Sequence, residues 1–119
     1  MSVKVLLADD AEIMRRAIRN LLSEAQEIEV VGEAATLPEM FQKSEELKPN
    51  VVVLDLHMAD HANVRLLAGP KVLAISLAND DEAKASAQSM GAVRLLDKMN
   101  LGQQLIPAIL ELTTTGSGV

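Results

Sequence analysis

No cysteine, tryptophan or tyrosine occurs in these 119 residues, and Phe41 is the only phenylalanine. Without cysteine there is no disulfide, no thiol nucleophile and no thiolate metal site. Without a set of aromatic rings there is no stacking platform for single-stranded nucleic acid. Positive charge is scarce too: 17 acidic against 11 basic residues leave a net charge of −6. That is a poor basis for neutralising a phosphate backbone, so no nucleic acid is expected to bind this domain itself. No apolar run approaches the roughly 20 residues that a bilayer span requires, so no membrane partner is expected. The N-terminus lacks the basic and apolar regions of a secretory signal, which makes a cytoplasmic location the expectation.

What is present is 49% apolar and almost wholly aliphatic, the composition of a buried parallel sheet under helical cover. The length suits one domain with a real core. Strand and helix signals alternate five times. Val3 to Ala8, Ile28 to Ala34, Val51 to Asp55, Lys71 to Ser76 and Ala92 to Leu96 read as strands. Glu29 and Glu33 mark the second as an edge strand, and the third is the most apolar and so central.

The first helix is expected from about Ala11 to Glu24, with Asp10 as its cap. Ile13, Ala17 and Leu21, with Ile18 and Leu22, form its apolar face, and Arg15, Arg16 and Arg19 lie largely on the other. Those arginines read as a solvated surface or a docking patch. Thr36 and Glu39 form a capping box, and Pro49 ends the second helix. Asn79 to Glu82 open an acidic helix start, and Gly91 fits a left-handed stop. Asn100 is expected to cap a last helix running to about Leu112 and interrupted at Pro107. The boundary follows: residues 1–112 as the domain and 113–119 as a flexible tail or the start of a linker. Alternating strands and helices imply βαβ units with right-handed crossovers, hence a doubly wound α/β fold.

Asp9 and Asp10, Asp55, Ser76 and Lys98 stand at or just past the ends of strands one, three, four and five. In an open parallel sheet those ends share one edge, where ligands bind. Adjacent carboxylates can point into one crevice where a strand turns into a helix. Repelling carboxylates need a cation, and all-oxygen ligands select a hard one, Mg²⁺. Asp55, ending the central strand, is best placed as a nucleophile that forms an acyl phosphate. Lys98 supplies a point charge for a phosphoryl oxygen, and Ser76 a donor able to reorient as a trigger. His57 and His61, four apart near Asp60, match a helical zinc spacing but lack a further soft ligand and read as a solvated loop.

With LLADD, VVVLDLHM, the Ser76 strand end and LLDK in these places, Val3 to Leu112 resembles a receiver domain of the two-component response regulators. EVVGEA in the second strand is similar to regulators that carry a helix-turn-helix output domain. The resemblance implies a flavodoxin-like five-stranded sheet in the order 2-1-3-4-5. It implies Mg²⁺ held by Asp10, Asp55 and the carbonyl of His57, with Asp9 acting through water. It also implies a sensor histidine kinase or phosphotransfer protein as donor, and leaves a homodimer open. The chain departs from the pattern in four ways. Only 21 positions separate Asp55 from Ser76 (76 − 55), which predicts a shortened third helix and a shallow groove between the second and fourth helices. Leu95 replaces the aromatic switch residue, Met99 the proline that usually gives a cis peptide, and Leu77 a small residue. Two other classes stay open: a Mg²⁺-dependent aspartyl-phosphate phosphohydrolase, in which the position of His57 would carry a second acid, and an unphosphorylated binding module.

Overall fold

In a computed structural model that describes residues 2–58, 67–78 and 80–114, the five apolar runs pair into one sheet. Strands Val3–Ala8 (β1), Ile28–Ala34 (β2), Val51–Asp55 (β3), Lys71–Ser76 (β4) and Ala92–Asp97 (β5) are parallel, in the order β2-β1-β3-β4-β5. Helices Glu12–Leu22 (α1), Leu37–Leu47 (α2), Asp81–Ser89 (α3) and Leu101–Thr114 (α4) fill the connections. This is the expected doubly wound, flavodoxin-like α/β arrangement, with edge strand β2 and central strand β3 where the sequence places them. The shortened helix expected between the third and fourth strands falls on residues 59–66, outside the described residues.

Strand alternation divides the core. Val5, Leu7, Val53, Leu73 and Ile75 face Ile18 and Leu22 of α1 and Leu105 and Ile109 of α4. Leu6, Ala8, Val52 and Leu54 face the other way, onto Met40 of α2. Beside them Ala74 and Leu56 meet Ala83 and Ala87 of α3. All five residues of β3 are buried, as a strand covered on both faces requires.

Each edge strand carries one extra residue. Val5 pairs with Val30 but Leu6 with Gly32, so Val31 has no opposite number on β1. Val72 pairs with Ala92 but Leu73 with Arg94, which skips Val93 on β5. Beyond the first bulge, Gly32 turns toward α2, and a Cβ there would fall 2.7 Å from Leu47 Cδ1. A side chain at this position would therefore have to displace the end of the Leu47 side chain.

Helix phases and ends differ from the sequence reading in four places. Ile13 is 85% exposed and Ala17 is exposed, while Met14, Ile18, Leu21 and Leu22 form the inward face of α1. Arg15 is half-buried beside this face. Asp10 does not cap α1: the N-cap position is Ala11, with no side-chain cap. Asp97, not Asn100, caps the last helical segment, by accepting from Met99 N–H at the start of a 3₁₀ turn that leads into α4. And α4, with Pro107 inside it, runs two residues past the expected Leu112. Thr36 does cap α2, accepting from Glu39 N–H, although the Glu39 carboxylate accepts from Ala35 N–H, one residue earlier than in a standard capping box.

Leu105 is fully buried between α4 and the sheet. Leu105→Ala is expected to destabilise the fold by about 2–5 kcal/mol, measurable as a drop in the urea midpoint with little change in slope.

Candidate functional site

Four strands end in the same way. Asp9 Oδ1 accepts from Ala11 N–H at 2.9 Å, Asp55 Oδ1 from His57 N–H at 3.0 Å, Ser76 Oγ from Ala78 N–H at 3.0 Å and Asp97 Oδ1 from Met99 N–H at 2.9 Å. In each case a short polar side chain bonds the backbone two residues on, the local bond that Asp and Ser form readily where a chain leaves a strand. The turn satisfies a backbone donor and fixes the side chain at the carboxyl edge of the sheet. At β1, β3 and β4 these side chains are three of the residues singled out from the sequence. Asp97, at the end of β5, was not among them.

Asp9, Asp55 and Lys98 meet. Lys98 Nζ lies 3.1 Å from Asp55 Oδ1 and 3.4 Å from Asp9 Oδ2. Asp9 and Asp55 are buried, whereas Asp10 is exposed at the rim. One oxygen from each of the three carboxylates lies within 4.8 Å of the other two. Asp9 Oδ2 is buried and accepts no hydrogen bond, so its compensation among the described residues is the Lys98 charge. An oxygen-only cluster with a buried, unbonded carboxylate oxygen fits a hard divalent cation such as Mg²⁺.

Ser76 stands across the same opening. Its hydroxyl oxygen takes the Ala78 N–H, which leaves the hydroxyl hydrogen free to point at a ligand. An open cavity of about 350 Å³ is lined by Asp55, Ser76 and Lys98 together with His57, Leu77 and Ala83. Leu77 is 71% exposed and forms the rim. Leu95 is half-buried against Ala83 and Ala87. Among the described residues every peptide bond is trans, including that before Met99. His57 is exposed in a 3₁₀ turn, Leu56–Met58, and His61 and Asp60 of the alternative zinc spacing lie outside the described residues.

The sequence reading missed Arg15. Its Nη1 donates to the carbonyl of Asp9 at 2.6 Å and its Nε to Glu33 Oε1 at 3.0 Å. Arg19 binds the other Glu33 oxygen, while Arg16 pairs with Glu12 at 3.5 Å in solvent. Only Arg16 and Arg19 of the three are exposed. A cationic residue one turn into the helix after an Asp-Asp strand end, opposite an acid on the next strand, was the available signal.

Residues 5–110 match the family model for the response regulator receiver domain. A protein-glutamate methylesterase/protein-glutamine glutaminase of Methanococcoides burtonii is 34% identical over 96 residues, covering 78% of this chain and 27% of that protein. The response regulator protein VraR of Staphylococcus aureus is 47% identical over 60 residues, covering 50% of this chain and 29% of that protein. The chain thus spans under a third of the length of these relatives. The signal receiver domain of the response regulator NarL from Mycobacterium tuberculosis superposes with a TM-score of 0.84 at 25% identity, over 96% of this chain and 98% of that one.

Burial pushes the Asp9 carboxyl above its ordinary value of 3.8; the Ala11 N–H opposes the shift, the Asp55 charge adds to it, and Lys98 opposes it. The folded protein therefore holds this proton more tightly than the unfolded chain. The stabilisation from a protonated Asp9 is complete below 3.8 and is lost as pH rises through the raised value. Asp9→Asn keeps an acceptor for Ala11 N–H and removes the buried charge. Without added cation it should melt above the wild type at pH 7, with the gap closing as pH falls toward 3.8. A variant that melts lower at pH 7 would contradict this.

Proposed function

The chain belongs to the response regulator receiver domain family, and on that premise we propose that Asp55 is its phosphoacceptor, taking a phosphoryl group from a sensor histidine kinase or phosphotransfer protein. The observation that carries the reading is the Asp9–Asp55–Lys98 cluster, of which Asp55 and Lys98 also line the cavity. An Asp55 oxygen attacks the phosphorus, the donor–phosphorus bond breaks with its electron pair leaving on the donor, and an acyl phosphate forms. His57 N–H fixes the orientation of the carboxylate through Oδ1, which leaves Oδ2 as the attacking atom. Lys98 has its ammonium already at Asp55 and meets the incoming phosphoryl oxygens, and the free hydrogen of Ser76 can donate to another.

Receiver domains bind Mg²⁺ at an acidic pocket. Asp10 and Asp55 would hold the ion, with Asp9 through water and the His57 carbonyl completing the protein ligands. When bound it supplies positive charge that screens the carboxylates from the phosphoryl group. Conformational change on phosphorylation would then act on an output domain or partner, with transcription control the favoured output. The domain performs no chemistry on other molecules. A phosphohydrolase is disfavoured because the residue two past Asp55 is His57, exposed and not an acid.

Incubation with acetyl phosphate and Mg²⁺ followed by intact-mass measurement should add one phosphoryl group, lost in Asp55→Asn and prevented by EDTA. Unchanged mass under each donor would favour a binding module, and bulk phosphate release a hydrolase.

A further inference from the structure

The bulge at Val31 decides which way Glu33 points. Residues paired across parallel strands share a face. Val30 pairs with Val5 and faces α1, in the cluster with Ile18 and Leu22. Without an extra residue, Glu33 would fall beside Ala8, whose side chain belongs to the α2 face. The bulge moves the pairing by one, so Glu33 stands beside Leu7, which faces α1. There its carboxylate receives Arg15 Nε and Arg19 Nη1. Re-aiming a single side chain next to a site is a recognised use of a bulge.

Arg15 carries this anchor to the acid pocket. Its side chain is only 16% exposed, with Glu33 at 25%, and its Nη1 donates to the carbonyl of Asp9. The amide of Asp9 is held as well, donating to the Ala34 carbonyl at 3.0 Å. Both backbone groups of Asp9 are thus tied to β2 or to a side chain anchored there. Lys43 of α2 fastens the same stretch, donating to the carbonyl of Glu33 at 2.5 Å.

We infer that Arg15, anchored by Glu33, is a positioning residue of the acid pocket: it sets the turn that carries Asp9 and Asp10 and thereby the pocket's affinity for a divalent cation. This rests on the cation-binding reading above and adds to it two residues that touch neither cation nor phosphoryl group. The competing account is simple charge. If Arg15 and Glu33 acted only through their fields, removing the arginine would tighten cation binding and neutralising the glutamate would weaken it. Positioning predicts the same sign for both, because each removal frees the turn.

Isothermal titration of the full chain with MgCl₂ at pH 7 separates the two accounts, with melting curves run on the same samples. Arg15→Ala and Glu33→Gln should each raise the Mg²⁺ dissociation constant about tenfold. Arg15→Lys keeps the charge but cannot fork between Asp9 and Glu33, so it should also weaken binding. Arg16→Ala, in its solvent pair with Glu12, should leave the constant unchanged. Unaltered or tighter binding in Arg15→Ala, or opposite signs for Arg15→Ala and Glu33→Gln, would overturn the inference while leaving the phosphoacceptor reading intact. A wild type that binds no Mg²⁺ would overturn both. If Arg15→Ala does not fold, Arg15→Lys and Glu33→Gln carry the same comparison.

Discussion

Two buried carboxylates, Asp9 and Asp55, share one ammonium, that of Lys98. Burying an ionised group is costly, and a single cation between two anions leaves negative charge uncompensated. Much of the local structure is arranged around that imbalance. Three strands, β1, β3 and β5, must end level with one another for the groups to meet, which ties the site to sheet order and register. The hydrophobic faces beneath, from Val53 to Ile109, hold the strands in that register. The imbalance is also what makes the site chemically useful. In the proposed function, that surplus of negative charge would attract a hard cation, and the cation would in turn admit a phosphoryl group that the carboxylates alone would repel.

Strand ends are where backbone groups lose their ladder partners, and this chain meets that problem four times with the same bond, from a side-chain oxygen to the amide two residues on. The local and functional requirements therefore coincide. A residue chosen to close the turn is already held at the sheet edge, so little reorganisation is needed when a ligand arrives. Asp97 makes the same turn and then spends it on a helix start, which places Lys98 one residue further on, where its side chain reaches back to β1 and β3.

The sheet was legible because runs such as VVVLD have no other stable environment than a doubly covered strand, and because strand ends are punctuated by polar residues. The clustering of Asp9, Asp10, Asp55, Ser76 and Lys98 followed from topology once the strands were known. Helix phase was less legible. In α1 the stripe through Ile13 and Ala17 runs on into polar Asn20 and Glu24, whereas Met14, Ile18, Leu21 and Leu22 stay apolar and are the residues that pack. What the pattern does not show is that Arg15 reaches Asp9 and Glu33, contacts between segments far apart in sequence. The Asp10 cap failed because the helix begins one residue later than expected, with Ala11 at the N-cap position. The direction of Glu33 was harder to read: the Val30–Val31 pair and the interior Gly32 of IEVVGEA hint at a bulge, but they do not say which residue is skipped.

Both outer strands, β2 and β5, carry an extra residue, and both present charge, with Glu29 and Arg94 among their side chains. An open sheet has two unpaired borders, each a template on which another extended chain could add and from which aggregates could grow. A bulge bends its strand and tightens its twist, so it spoils the flat, repeating row of donors and acceptors that such growth needs. The irregularity that turns Glu33 toward Arg15 therefore also protects one border from strand addition. Self-association of this domain through helical surfaces would meet no such obstacle.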